Sequence, residues 1–233
     1  MDGDELRPHT DAPDASEDRA EQIAALGGYA RERFEEKHRA REVTISAARQ
    51  AIQCCAASIR ATHRGEFDRA SALADEARDH LRAADEATSH VPEVRATGPL
   101  ADAKKEYSEA RLTLAFVRGD ALLGPDELGV EIAPYLNGMA EAASELRRQV
   151  LDRLREGDLA RAELLMATMD HVYSALVTID YPDGVTGGLR RTTDALRAVL
   201  ERTRSDLTTT VVATRLQVAI QTAAANAAHP LNS

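Results

Sequence analysis

Ala103-Lys104-Lys105-Glu106-Tyr107-Ser108-Glu109-Ala110-Arg111-Leu112-Thr113-Leu114-Ala115-Phe116-Val117 is the stretch that decides the fold. Its Ala103, Tyr107, Ala110, Leu114 and Val117 recur at alternating spacings of four and three, the period of a helix with one buried face. A strand needs alternation in twos, and no run in this chain alternates long enough to form one. The helix is expected over about 100–118, closed by Gly119 and Gly124-Pro125.

The same period extends in both directions. Upstream, a long helix is expected from Ser16, its N-cap, to about Thr62, with a weak point at Gly27-Gly28 and a stop at Gly65. A second follows over 67–88, and Pro92, Gly98 and Pro99 mark a connection. Downstream, a helix from 126 or 131 to 155 carries the stripe Ile132, Leu136, Met139, Ala143, Leu146 and Val150, with Pro134 near its start. Another covers 159–177, Asp180-Tyr181-Pro182-Asp183-Gly184 forms a turn, and a last helix runs from Thr186 to at least Leu207, as far as Ala227. The fold class is all-α, a bundle of six or seven helices. Residues 1–15 are expected to be a disordered acidic tail, 16–227 one helical domain and 228–233 a flexible end.

Composition agrees. Of 233 residues, 43% are hydrophobic but only 3% aromatic, so alanine and leucine must fill the interior, which favours close helix packing over a β-sandwich. No apolar run spans a membrane and none follows the N-terminus as a leader. The formal net charge is −10, unevenly spread. Residues 1–20 hold seven acids and two arginines, −5 in sum, whereas 186–215 hold six arginines and three acids, +3. Cys54 and Cys55 are neighbours with no second pair to complete a zinc site; at least one should be a small core residue, in a reduced, cytoplasmic setting.

Two glutamate pairs carry the chemistry. Glu106 and Glu109 are three apart, Glu141 and Glu145 four apart, so each pair leaves one side of its helix. Two carboxylates 5 Å apart repel by roughly 3 kcal/mol at an effective dielectric near 20, so a cluster of four needs protons or cations. Hard oxygen ligands suit Mg²⁺ or Mn²⁺. The plainer reading is a set of solvated surface acids, with Arg148 pairing to Glu145 one turn on. Gly138, one turn before Glu141, leaves room for a backbone or ligand to approach.

The basic residues divide similarly. Arg190, Asp194, Arg197, Glu201 and Arg204 alternate in sign along one face and read as a self-paired stripe. Leu189, Leu196, Leu200 and Leu207 form the adjoining core-facing or partner-facing stripe. Arg191 and Arg202 fall off the paired face and are candidate phosphate contacts. Arg60, His63 and Arg64 close the first helix, where cations favour the helix dipole or hold an RNA phosphate. No Gly-x-Ser-x-Gly elbow, no cysteine beside a histidine and no phosphate-cradling glycine loop is present, which excludes the serine- and cysteine-nucleophile and nucleotide-triphosphatase signatures.

Six pieces in order, Ile59-Arg60-Ala61-Thr62-His63-Arg64-Gly65, Glu106-Tyr107-Ser108-Glu109-Ala110, Tyr135-Leu136-Asn137-Gly138-Met139-Ala140, Ser144-Glu145-Leu146-Arg147-Arg148, Tyr181-Pro182-Asp183 and Leu189-Arg190-Arg191-Thr192-Thr193-Asp194, resemble the translin and translin-associated factor X family in its archaeal form. The resemblance covers about residues 35–207. It implies a helical subunit of a hollow homo-oligomer, typically an octamer, that binds single-stranded RNA or DNA. It further implies a Mg²⁺-dependent endoribonuclease in the branch that keeps the acidic set, and a non-catalytic scaffold in the branch that lacks it. Glu106, Glu109, Glu141 and Glu145 would be the catalytic metal ligands. The family's Asp-x-x-x-Glu is here Glu141-x-x-x-Glu145, one methylene longer, with Ser144 in place of its usual glycine.

Overall fold

The structure, a computed structural model, describes residues 15–95 and 98–228. Its helices are α1 (Ala15–His63), α2 (Phe67–Ala87), α3 (Pro92–Arg95), α4 (Gly98–Arg118), α5 (Pro125–Leu128), α6 (Ile132–Glu156), α7 (Leu159–Leu176), α8 (Asp183–Thr186) and α9 (Leu189–Ala228). Among the described residues there is no strand. Residues 1–14 of the expected acidic tail and 229–233 of the expected C-terminal tail lie outside the described range. Ala15 already begins α1 and Ala228 closes α9.

Small side chains set the architecture. Ala70, Ala74, Ala77, Leu81 and Ala84 bury one face of α2 against α1, and Ala103, Tyr107, Ala110 and Leu114 bury the matching face of α4. α1 packs on α2 and α4, α6 packs on α4, α7 and α9, and the α4–α6 contact joins the two halves. With neighbours on three sides, α6 buries a wider arc than one stripe: Tyr135, Gly138, Ala140, Ala142, Ala143, Leu146 and Val150 are all inside. Ile132, expected in that stripe, is 59% exposed, because it opens the helix before the arc begins.

Local chemistry ends the helices. Gly65 and Gly157 take positive φ after α1 and α6, where a Cβ would be strained. The Asp158 carboxylate then caps α7 by accepting from the Arg161 N–H at 3.0 Å. Gly27-Gly28 does not interrupt α1; helix propensity costs about 1 kcal/mol per glycine, too little to break a helix this long. α9 starts at Leu189 rather than Thr186, because Gly187 and Gly188 both adopt positive φ and Thr186 closes the single turn α8.

Leu189, Leu196, Leu200 and Leu207 face the chain's own core. The alternating charges beside them form one intrahelical pair, Arg204–Glu201 at 3.0 Å, and Arg204 also holds Asp170 of α7 at 2.5 Å. Among the described residues no ion pair joins Arg190, Asp194 and Arg197, so the stripe is not self-paired along its length. Both longest helices leave apolar groups in solvent: Ile23, Leu26, Tyr29 and Phe34 on α1, and Val212, Leu216, Val218 and Ile220 on α9. No helix of the described residues is long and apolar enough to cross a membrane.

Candidate metal centre and nucleic-acid interface

The crossing of α4 and α6 creates the site. A Cβ on Gly138 would lie 2.5 Å from the Lys105 carbonyl oxygen, 2.7 Å from Ser108 Cβ and 2.9 Å from the Glu109 nitrogen. Only glycine lets the backbones meet so closely, and that contact lies between Glu106 and Glu109 on one helix and a turn from Glu141 on the other. Carboxylate oxygens of Glu106, Glu109 and Glu141 all come within 4.8 Å of one another. Lys104, only 2% exposed in its side chain, fixes α4 from behind through Asp85 at 3.0 Å and Glu131 at 3.1 Å.

Glu109 is the buried member, 8% exposed. Burial, and then the charges of Glu106, Glu141 and Glu145, push its pKa up to about 8, against a smaller opposing pull from Lys105. Lys105 supplies the cation present in the structure: its Nζ lies 2.8 Å from a Glu141 oxygen and 3.4 Å from Glu106 Oε1. Burial works against the Lys105 charge, but the hydrogen bonds and charges of Glu141 and Glu106 outweigh it and raise the lysine pKa.

Glu145 stands apart from the three. Its Oε2 is 2.6 Å from His63 Nε2, and His63 Nδ1 is 3.2 Å from Gln149 Nε2. A carboxylate accepts, so Nε2 carries the proton and Nδ1 accepts from the Gln149 amide. Arg148 forms no ion pair with Glu145 among the described residues. The His63 side chain is only 4% exposed and aims its ring at an acid, not at solvent.

The other basic residues scatter. Arg60 is exposed on α1, and Arg64 is gripped by Glu66 through bonds of 2.6 and 3.0 Å. The Arg64 hydrogen bonds draw the Glu66 carboxyl down to about 2. Arg191 and Arg202 are exposed on α9. A hollow of about 450 Å³ on α6 is lined by Ser144, Glu145, Arg147, Arg148, Asp152 and Arg155, which places arginines beside the acids. Arg147 is committed to Asp206 at 2.9 Å, whereas Arg148 is exposed and Arg155, also exposed, lies 3.5 Å from Asp152. The spacings from Glu145 to Arg148 and Arg155, three and ten, carry this signal in the sequence. Lys105 and Gln149, both missed there, needed the tertiary contacts.

No family model matches the chain. An uncharacterised protein of Methanocaldococcus jannaschii is 29% identical over 179 residues, 74% of this chain and 77% of its own. The crystal structure of AfC3PO is 32% identical, covering 80% of this chain and 97% of its own with a TM-score of 0.74. AfC3PO in complex with duplex RNA gives 32% identity, 80% and 96% coverage, and a TM-score of 0.73. Apo-NeC3PO, 18% identical over 78% of this chain and 96% of its own with a TM-score of 0.70, shares the fold. The protein is an all-helical chain of the C3PO class. It belongs to the translin family.

Proposed function

We propose that this protein is an RNA-binding, metal-dependent endoribonuclease in which Glu106, Glu109 and Glu141 hold Mg²⁺ or Mn²⁺ and Glu145 completes the site from its rim. One observation carries the reading: a buried glutamate is packed against two other carboxylates, an arrangement whose charge is tolerable only with a proton or cation at its centre. The hard oxygen donor set fits either ion, and Lys105 already marks where positive charge is favoured. A bound ion would lower the pKa of a coordinated water and offset charge on a scissile phosphodiester. The chain's own residues do the rest. Lys105 releases Glu141 when the site fills, His63 and Gln149 hold Glu145 in register, and Arg148 and Arg155 take the flanking phosphates.

AfC3PO bound to duplex RNA supports RNA as the ligand class. The expected substrate is single-stranded RNA, with single-stranded DNA bound by the same backbone contacts. The solvent-facing apolar rows of α1 and α9 support a homo-oligomer, because such rows usually mark an interface; its expected size, an octamer, is what the family resemblance implies. Incubation with labelled single-stranded RNA, duplex RNA and single-stranded DNA, with Mg²⁺ or EDTA, tests the reading. EDTA-sensitive cleavage of single-stranded RNA is the expected result. Salt-sensitive binding without turnover would assign the alternative, a translin-like scaffold, which the Lys105–Glu141 bond favours.

Cation affinity should depend on pH through Glu109. Below about 8 a bound ion must displace the Glu109 proton, so Mg²⁺ affinity should strengthen as pH rises towards 8 and level off above it. Calorimetry across pH 6–9 (an experimental range of about three units) reads this directly; a flat profile would remove Glu109 from the ligand set.

His63→Gln separates two roles for that histidine. If His63 orients Glu145, cleavage should fall by about tenfold or more while RNA affinity holds. A phosphate contact would instead weaken binding and reduce its salt dependence by about one unit of slope.

A further inference from the structure

The hairpin of α1 and α2 carries a second group of ligand-bearing side chains, chemically unlike the first. Cys54 and Cys55 are consecutive on α1 and so point about 100° apart. Cys55 is fully buried, where burial and then the charge of Glu106 hold its thiol far above the ordinary value. Cys54 is half-buried and faces α2. On α2, Glu76 and His80 lie four residues apart and share a face. The Cys54 sulfur, a Glu76 oxygen and a His80 ring nitrogen all lie within 4.8 Å of one another. His80 Nε2 is 4.0 Å from Glu76 Oε1, and among the described residues no lysine or arginine pairs with Glu76. The acids of the α4–α6 crossing, by contrast, already have Lys105.

We infer that Cys54, Glu76 and His80 form a separate cation site that takes Zn²⁺. Sulfur, imidazole and carboxylate from two helices are the donor set of a tetrahedral zinc site with three protein ligands and one water. Bonds of about 2.0–2.3 Å place such ligands roughly 3.3–3.7 Å apart. Closing from the present spacing requires side-chain rotation only, and Glu76 at 60% exposed has the freedom to rotate. The thiol loses its proton to solvent as the zinc–sulfur bond forms; no electron is transferred. Soft and borderline donors favour this ion over Mg²⁺, so the two clusters sort different metals. The ion would fasten α2 to α1 near the middle of the hairpin.

Titrating the full chain with Co²⁺ tests this, because a thiolate–cobalt bond gives a near-ultraviolet charge-transfer band that an all-carboxylate site cannot produce. One equivalent of band is expected, bleached by Zn²⁺ and absent in Cys54→Ser. His80→Gln should weaken binding by at least about tenfold. Both side chains lie at or near the surface, so circular dichroism of these variants should match wild type. The site is overturned by no band at saturating Co²⁺, a band that survives in Cys54→Ser, or a His80→Gln titration that matches wild type.

Discussion

Glu109→Gln should abolish metal-dependent RNA cleavage, by at least about 100-fold, and yet make the cation-free protein more stable at alkaline pH. The loss follows from removing a charged ligand at the centre of the carboxylate group. The gain follows from proton linkage. Folded, Glu109 keeps its proton up to about 8; unfolded, it releases it near the ordinary 4.5. Between those values the native chain binds the extra proton, so stability falls as pH rises across the window and is lowest above it. Glutamine occupies the same volume without a charge and escapes that fall. Thermal melts in EDTA at pH 5 and pH 9 (about the two sides of the window) should show the variant's advantage only at the higher value. A variant that cleaves like wild type would sink the nuclease proposal. One that loses stability at pH 9 would mean that the Glu109 charge is already compensated without a metal.

Gly138→Ala should be among the most damaging single methyl additions to the chain. In an exposed helix, replacing glycine by alanine gains about 1 kcal/mol. Here the new methyl meets a carbonyl oxygen at 2.5 Å and the Ser108 Cβ at 2.7 Å, neither of which can rotate away. Overpacking of this kind costs about 3 kcal/mol, which outweighs the propensity gain, and the melting temperature should drop by roughly 4–8 °C. Cation affinity should fall with it, because α4 must retreat from α6 and carry Glu106 and Glu109 away from Glu141. Gly28→Ala is the internal control: a methyl there meets nothing within 4 Å in the helical interior of α1, so the melting temperature should hold or rise. Equal effects at both positions would show that the helix crossing is softer than its geometry implies.

These two residues also mark what the sequence could disclose. The apolar period of α4, the glutamate spacings and the need for a small residue at Gly138 are local properties, and each was readable from neighbours within two turns. Partners from distant segments were not. His63 meets Glu145 across 82 positions, and nothing near either residue announces it. Arg148, one turn from Glu145, looked the natural partner and is not, because helix spacing permits a contact without requiring it. Ile132 belonged to an apolar period but opens its helix in solvent. The breadth of the buried arc on α6 depends on how many helices surround it, which is a property of the assembled bundle. The Cys54, Glu76 and His80 group likewise needs the register of the α1–α2 hairpin, which brings positions more than 20 apart together.

Lysine is so scarce here that it becomes a reporter. The chain has it only at 37, 104 and 105. Lys104 is sealed at 2% exposure, Lys37 pairs with Glu93 at 3.0 Å on the surface, and Lys105 sits on the carboxylates. Amine acylation read by peptide mass spectrometry should therefore leave Lys104 unmodified and label Lys37 steadily. Labelling of Lys105 should climb when Mn²⁺ frees its ammonium group, so a few tryptic fragments would chart occupancy without any nucleic acid present.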